Sequence, residues 1–255
     1  MTGSARRRTG DSRYGERVPL VAASVCPHPP LLVPEVAGSA APELDELRAA
    51  CDTSVRRLLA AEPDIVVLLG TGPVTGPIST PATGSLQPWG VDLDVPLVPG
   101  QPDRGAVLPL SLTIGAWLLA RHETIAPVSA VQVAADAGPA ELAALADGVD
   151  AAGDRVALLV LGDGSACRGE KAPGYDDARA LPYDQRVAAA LADADLDVLL
   201  DLDPVVSAEL KAAGRASWQV LAGAARAAGG GWRGELLHDT APYGVAYFVA
   251  SWERV

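Results

Sequence analysis

The feature that most constrains this chain is the alternation of short, fully apolar runs with segments of helical spacing. The runs are VPLVAASV (18–25), DIVVLLG (64–70), PVSAVQVA (127–134), RVALLVLGDGS (155–165) and YGVAYFVASW (243–252). Strands with no polar alternation belong to sheets buried on both faces. Between them lie helical patterns. Residues 42–62 place Leu44, Leu47, Cys51, Val55, Leu58 and Leu59 on one face. Residues 103–122 read as a helix delayed by Pro109, 138–153 as one with Pro139 in its first turn, and 183–195 as another. PVVSAEL and GRASWQVLAGAARAAGG also read as helical, VDLDVPLV (91–98) as a strand, and 196–203 as ambiguous. The pattern predicts an α/β fold: one domain over 18–255, with a central, mostly buried sheet and helices on both faces.

Charge and composition narrow the function classes. Residues 1–17 hold five Arg against Asp11 and Glu16, a local +3, so the remainder of a chain of net charge -12 carries -15. An acidic body repels a phosphate backbone, so nucleic acid is not an expected partner; the basic start reads as a disordered, solvated tail. No apolar run reaches the roughly 18 residues of a membrane span. The amino terminus lacks a signal-peptide pattern, and three cysteines do not make a disulfide framework, so the expected location is cytoplasmic.

In open α/β sheets ligands bind where strands end. Four segments leave strand ends: 26–36, 70–90, 162–182 and 238–243. Residues 71–90, rich in Gly, Pro, Ser and Thr, read as a long loop. The GTGPVTG stretch lacks the Lys and the spacing of a phosphate loop, and Ser165 lacks the Gly-x-Ser-x-Gly of a nucleophile elbow. His122 closes an apolar helix, where a cation favours the helix end. His28 stands between Pro27 and Pro29, which disfavour helix and remove two strand donors, so the chain must leave the sheet there.

CPHPPLLVPEV, LGDGSACRGEKAPGYDD, AGRASWQVLAGAA and APYGVAYFVASW occur in this order over residues 20–252. Together they resemble the class III extradiol ring-cleavage dioxygenase superfamily, which includes the catalytic subunit of protocatechuate 4,5-dioxygenase and the Memo-like proteins. The resemblance implies that fold, often as a homodimer. It also implies a non-haem iron(II) held by two His and one Glu, with a further His as acid/base. His28 fits the first His ligand, in its HPP context. The second His ligand would fall among Gly70, Thr71 and Gly72. The acid/base His position holds Ala166, in GDGSA, and the Glu position holds Thr240, in HDTAPYGVAY. Glycine and alanine offer no ligand atom, and a threonine hydroxyl is a weak iron(II) ligand.

The resemblance therefore implies a protein of this fold that has lost most of its iron site. The expected role is small-molecule binding or partnership with another protein, without ring cleavage and without a cofactor. The alternative is a ring-opening, metal-dependent oxidoreductase with unusual ligands, holding iron(II), or zinc on a set drawn from Cys26, His28, Cys167 and His238. The expected pocket gathers His28, Thr71, Gly72, Asp163, Ser165, Ala166, His238, Asp239 and Thr240, with Glu170 on the third loop. In the metal-free reading the His28 ring hydrogen-bonds Asp163, Thr240 or Asp239.

Overall fold

A computed structural model describes residues 20–100 and 105–255; the basic segment 1–17 lies outside them. The strands are β1 (Leu20–Cys26), β2 (Ile65–Gly72), β3 (Gly76–Pro77), β4 (Ala82–Ser85), β5 (Asp94–Pro96), β6 (Ala106–Val107), β7 (Val128–Ala134), β8 (Val156–Leu161), β9 (Trp232–Thr240) and β10 (Tyr247–Arg254). The helices are α1 (Pro34–Ala37), α2 (Asp45–Ala60), α3 (Leu110–Ala120), α4 (Pro139–Asp150), α5 (Ala180–Asp193), α6 (Leu196–Leu200), α7 (Pro204–Glu209) and α8 (Arg215–Ala227).

Seven strands form one sheet in the order β3-β7-β2-β8-β1-β10-β9. β7, β2, β8 and β1 run parallel, while β10 pairs antiparallel with β1, and β9 with β10. The runs at 18–25, 64–70, 155–165 and 243–252 thus supply four adjacent strands, as their uninterrupted apolar character requires. Alternate side chains feed two cores. Ala23, Val25, Val67, Leu69, Leu158 and Val160 meet α4, α5 and α8 through Leu142, Val187, Leu191, Trp218 and Leu221. Ala22, Cys26, Val66, Leu68, Ala157 and Leu159 meet α2 and α3 through Leu47, Cys51, Val55, Leu58, Leu112 and Leu118. The chain is a single α/β domain with helices on both faces. Among the described residues no helix is long and apolar enough to cross a membrane.

Several boundaries differ from the sequence reading. The 91–98 run shrinks to β5, in a separate sheet of order β5-β4-β6. The 71–90 segment carries β3, β4 and a 3-10 turn at Gln87–Trp89 rather than being all loop. Residues 196–200 are helical, since the Asp195 side chain accepts the Val198 N–H. β9 was not foreseen: Arg233, Glu235 and Asp239 are exposed along an edge strand that contains Gly234, so it shows no apolar run. His238–Thr240 accordingly end a strand and do not form a loop.

The connections leave the sheet on opposite sides. After β1 and β2 the chain passes to the α2 and α3 face; after β8 it passes to the α5 and α8 face. A switch point therefore lies at the adjoining carboxyl ends of β1 and β8, the usual place for a ligand crevice.

Candidate functional site

His28 and Asp163 meet at that switch point. The Gly162 N–H donates to the Cys26 carbonyl at 3.0 Å, which carries the parallel pairing one step past the strands. The His28 backbone N–H then donates to Asp163 Oδ1 at 2.8 Å. The ring Nδ1 lies 3.5 Å from the same oxygen. It is misaligned for a hydrogen bond, and Nδ1 is buried without a partner. The expected ring hydrogen bond is thus replaced by a backbone one: Pro27 and Pro29 leave the His28 N–H as the sole donor of this turn, and the carboxylate takes it. Burial pushes the Asp163 carboxyl above its ordinary value, opposed by the charge of His28 and by its backbone N–H. Burial, then the Asp163 charge, pushes the neighbouring Tyr247 phenol up as well.

The amino-terminal approach to α8 joins the loops. The Asp163 carbonyl accepts the Gly214 N–H at 2.8 Å. The adjacent Ala213 carbonyl accepts the Thr71 hydroxyl at 2.6 Å. Thr71, Asp163 and His28 are in this way linked through residues 213–214. Glycine permits the contact: a Cβ on Gly162 would lie 2.6 Å from the Gly214 Cα, and one on Gly214 would overlap the Trp218 ring. At Gly72 a Cβ would overlap the Gln132 side chain, so protein atoms already fill the space beside that position.

The third loop folds around a buried carboxylate that sequence reasoning missed. Asp184 accepts the Ser165 N–H at 2.8 Å through Oδ1, and the Ser165 hydroxyl at 2.6 Å through Oδ2. Arg168 Nη1 approaches Oδ2 at 3.4 Å. Burial pushes the Asp184 carboxyl up, against these hydrogen bonds. The signal was an acid on the apolar face of a helix, beside Tyr183 and Val187. Ala166 is buried, and its N–H donates to the Leu210 carbonyl at 2.9 Å. The β9–β10 turn binds the same loop: the Ala246 N–H donates to the Ser165 carbonyl at 2.9 Å and the Arg168 N–H to the Gly244 carbonyl at 3.0 Å. Thr240 pairs with Tyr247, Asp239 with Phe248 and His238 with Val249. Over this edge lies a cavity of about 580 Å³ between Arg168–Ala172 and Ala241–Gly244; Arg168, Lys171 and Tyr243 line it, and His28 does not.

The zinc set does not assemble. Cys26 belongs to the core on the α2 face and Cys167 to the core on the α8 face, with the sheet between them. Cys26 Sγ lies 3.5 Å from Ser24 Oγ, while Cys167 Sγ points to the Gly174 and Leu210 carbonyls at 3.5 and 3.4 Å. Among the described residues no three His, Cys, Asp or Glu side chains are grouped to hold a metal ion. The donor set does not fit the iron of the resembled family either. Gly72 and Ala166 have no ligand atom, Thr71 donates its hydroxyl proton to a carbonyl, and Asp163 Oδ1 already accepts the His28 N–H.

No family model and no curated protein matches the chain. Among solved structures, an uncharacterized protein JW3007 from Escherichia coli K12 aligns with 13% identity and a TM-score of 0.49, over 91% of this chain and 99% of that one. A likeness of that degree carries no argument about this chain.

Proposed function

We propose that this protein has the class III extradiol dioxygenase fold without its ring-cleavage chemistry, and that it acts by binding a small molecule at the carboxyl edge of its sheet. The observation that carries this reading is the donor set at the mapped positions. His28 alone offers an imidazole; Thr71 with Gly72, Ala166 and Thr240 stand where the resemblance calls for the other groups. A facial triad needs three strong donors on one side of the metal, and one imidazole beside an already engaged carboxylate does not supply them. The cavity between Arg168–Ala172 and Ala241–Gly244 offers space at the same edge, bordered by Arg168, Glu170 and Lys171.

The test is anaerobic reconstitution with iron(II), followed by air and catechol or protocatechuate, with ring-opened product followed by its colour. No product is expected above an iron-only blank. Iron-dependent turnover that is lost in His28→Ala would overturn the proposal.

A further inference from the structure

Beyond the carboxyl end of β7, on the α8 face of the sheet, lies a second cavity of about 500 Å³. It opens between the β7–α4 turn, the α6–α7 turn and one side of α8. This volume falls in the range of small-molecule sites. Arg215 lines it and is only 4% exposed. Arginines this deeply buried are ordinarily paired with an acid; the charge of Asp136 reaches this one, yet its hydrogen bonds end on neutral oxygens. Nη1 donates to Gln219 Oε1 at 2.7 Å, and Nη2 to the Ala135 and Ala137 carbonyls at 2.6 and 3.4 Å. Among the described residues Nη1 makes a single hydrogen bond and Nε none. Gln219 cannot turn away, because its Nε2 is held by the Leu200 and Leu202 carbonyls at 2.9 and 3.1 Å. The guanidinium is therefore fixed in place beside the cavity.

The rest of the lining sets the ligand class. Leu142, Leu202 and Pro204 form an apolar wall. Asp136, Asp201 and Asp203 also border the cavity. Asp201 is paired with Arg186 at 2.8 Å, and Asp203 accepts the Val205 and Val206 N–H groups at the start of α7. Their charge, with that of Asp136 acting on Arg215, disfavours a doubly charged anion and limits the ligand to the single carboxylate that a guanidinium fork can take. We propose that this cavity binds a small monocarboxylate carried on an apolar body, with Arg215 taking the carboxylate and the Leu142–Leu202 wall taking the body.

Titration calorimetry of the full chain with phenylacetate, 2-phenylethanol, 2-phenylethylamine and inorganic phosphate tests this. Phenylacetate should bind saturably at one site, and the alcohol at least about tenfold more weakly, the scale of one lost charged hydrogen bond. Phosphate and the amine should not compete. Arg215→Lys keeps the charge but loses the planar fork and should weaken phenylacetate at least about tenfold. Ala143→Trp, on an exposed position of α4 at the cavity mouth, should abolish binding with the melting temperature unchanged. This second variant decides the matter if Arg215→Lys fails to fold. No saturation with phenylacetate, equal binding of the amine, or full affinity in Ala143→Trp would overturn the proposal. The assay needs no metal, so its outcome is separate from that of the ring-opening test.

Discussion

Truncating Asp184 to alanine should be among the most destabilising single changes in this protein, and the structure gives the size. The residue is 1% exposed, and Ser165, which it holds, is fully buried. Alanine would leave the Ser165 N–H and hydroxyl in the interior without an acceptor. Each such loss costs about 1–3 kcal/mol, and the nearby Arg168 cation would lose its counter-charge. A total near 4 kcal/mol follows, within the range for breaking one side of a buried pair. Asp184→Asn is the informative control. Its amide oxygen can still accept the Ser165 N–H, and its amide nitrogen can donate to the hydroxyl, so the cost should be only about 1–2 kcal/mol. The sign of the pH dependence also follows. The folded carboxyl titrates above its ordinary 3.8 because of burial. The stability that this shift confers is complete below 3.8 and is lost as pH rises through the folded value. Asparagine stays neutral, so Asp184→Asn should gain on the wild type as pH rises across that window. Urea unfolding followed by tryptophan fluorescence, at pH 7 and at steps down to the acid limit of folding, measures all three. An alanine variant within about 1 kcal/mol of wild type, or an asparagine variant as damaged as alanine, would refute the reasoning.

Gly214→Ala should cost about 3 kcal/mol or more, since its Cβ would overlap the Trp218 ring; Gly148→Ala, with open space around it inside α4, should instead stabilise by about 0.5–1 kcal/mol, and thermal melts of the two variants check the contrast. His28→Ala should cost less than about 1 kcal/mol in urea unfolding, because the bond to Asp163 comes from the backbone and survives the change. Asp163→Asn should gain stability relative to wild type as pH rises from 3.8 through the raised folded value, by the same linkage as at Asp184; a gap constant with pH in the same unfolding series would contradict it.

What could be read from the sequence depended on how many faces of an element are buried. β1, β2 and β8 are covered on both sides, so their apolar runs are unbroken and their positions evident. β9 lies at an edge, and its Gly234 resembles a breaker. The glycine is there because the α5 carboxyl end comes too close for a side chain: a Cβ would stand 2.6 Å from the Leu191 carbonyl oxygen. The small sheet of β4, β5 and β6 pairs over two or three residues, too few to leave a period. At the candidate site, the meeting of His28 with Asp163 agrees with both lying at adjacent strand ends. The part played by Gly214 was invisible, because it rests on a backbone N–H and a bare Cα, which leave no chemical mark in the chain.

That same reliance on backbone explains how this edge of the sheet keeps its form with Ala166 and Thr240 at two of the mapped positions. Its loops are tied by main-chain bonds: Gly162 to Cys26, Gly214 to Asp163, Ala166 to Leu210, and Ala246 to Ser165. Of the side chains that brace the ties, Asp163 and Asp184 lie outside the positions where the resemblance calls for metal or acid/base groups, and Thr71 lies at one of them. An alanine at 166 still presents the N–H that Leu210 requires, and a threonine at 240 still pairs with Tyr247. The side chains at 166 and 240 take no part in these main-chain ties. Positions 166 and 240 are thus free to vary while the two carboxylates beneath them are not. In a saturation scan scored for folding, positions 166 and 240 should tolerate polar replacements that fit the local space, position 72 should keep glycine because a Cβ there meets Gln132, and 163 and 184 should accept little beyond Asn. Broad tolerance at 184 would show that the side-chain brace is dispensable and that the main-chain ties suffice alone.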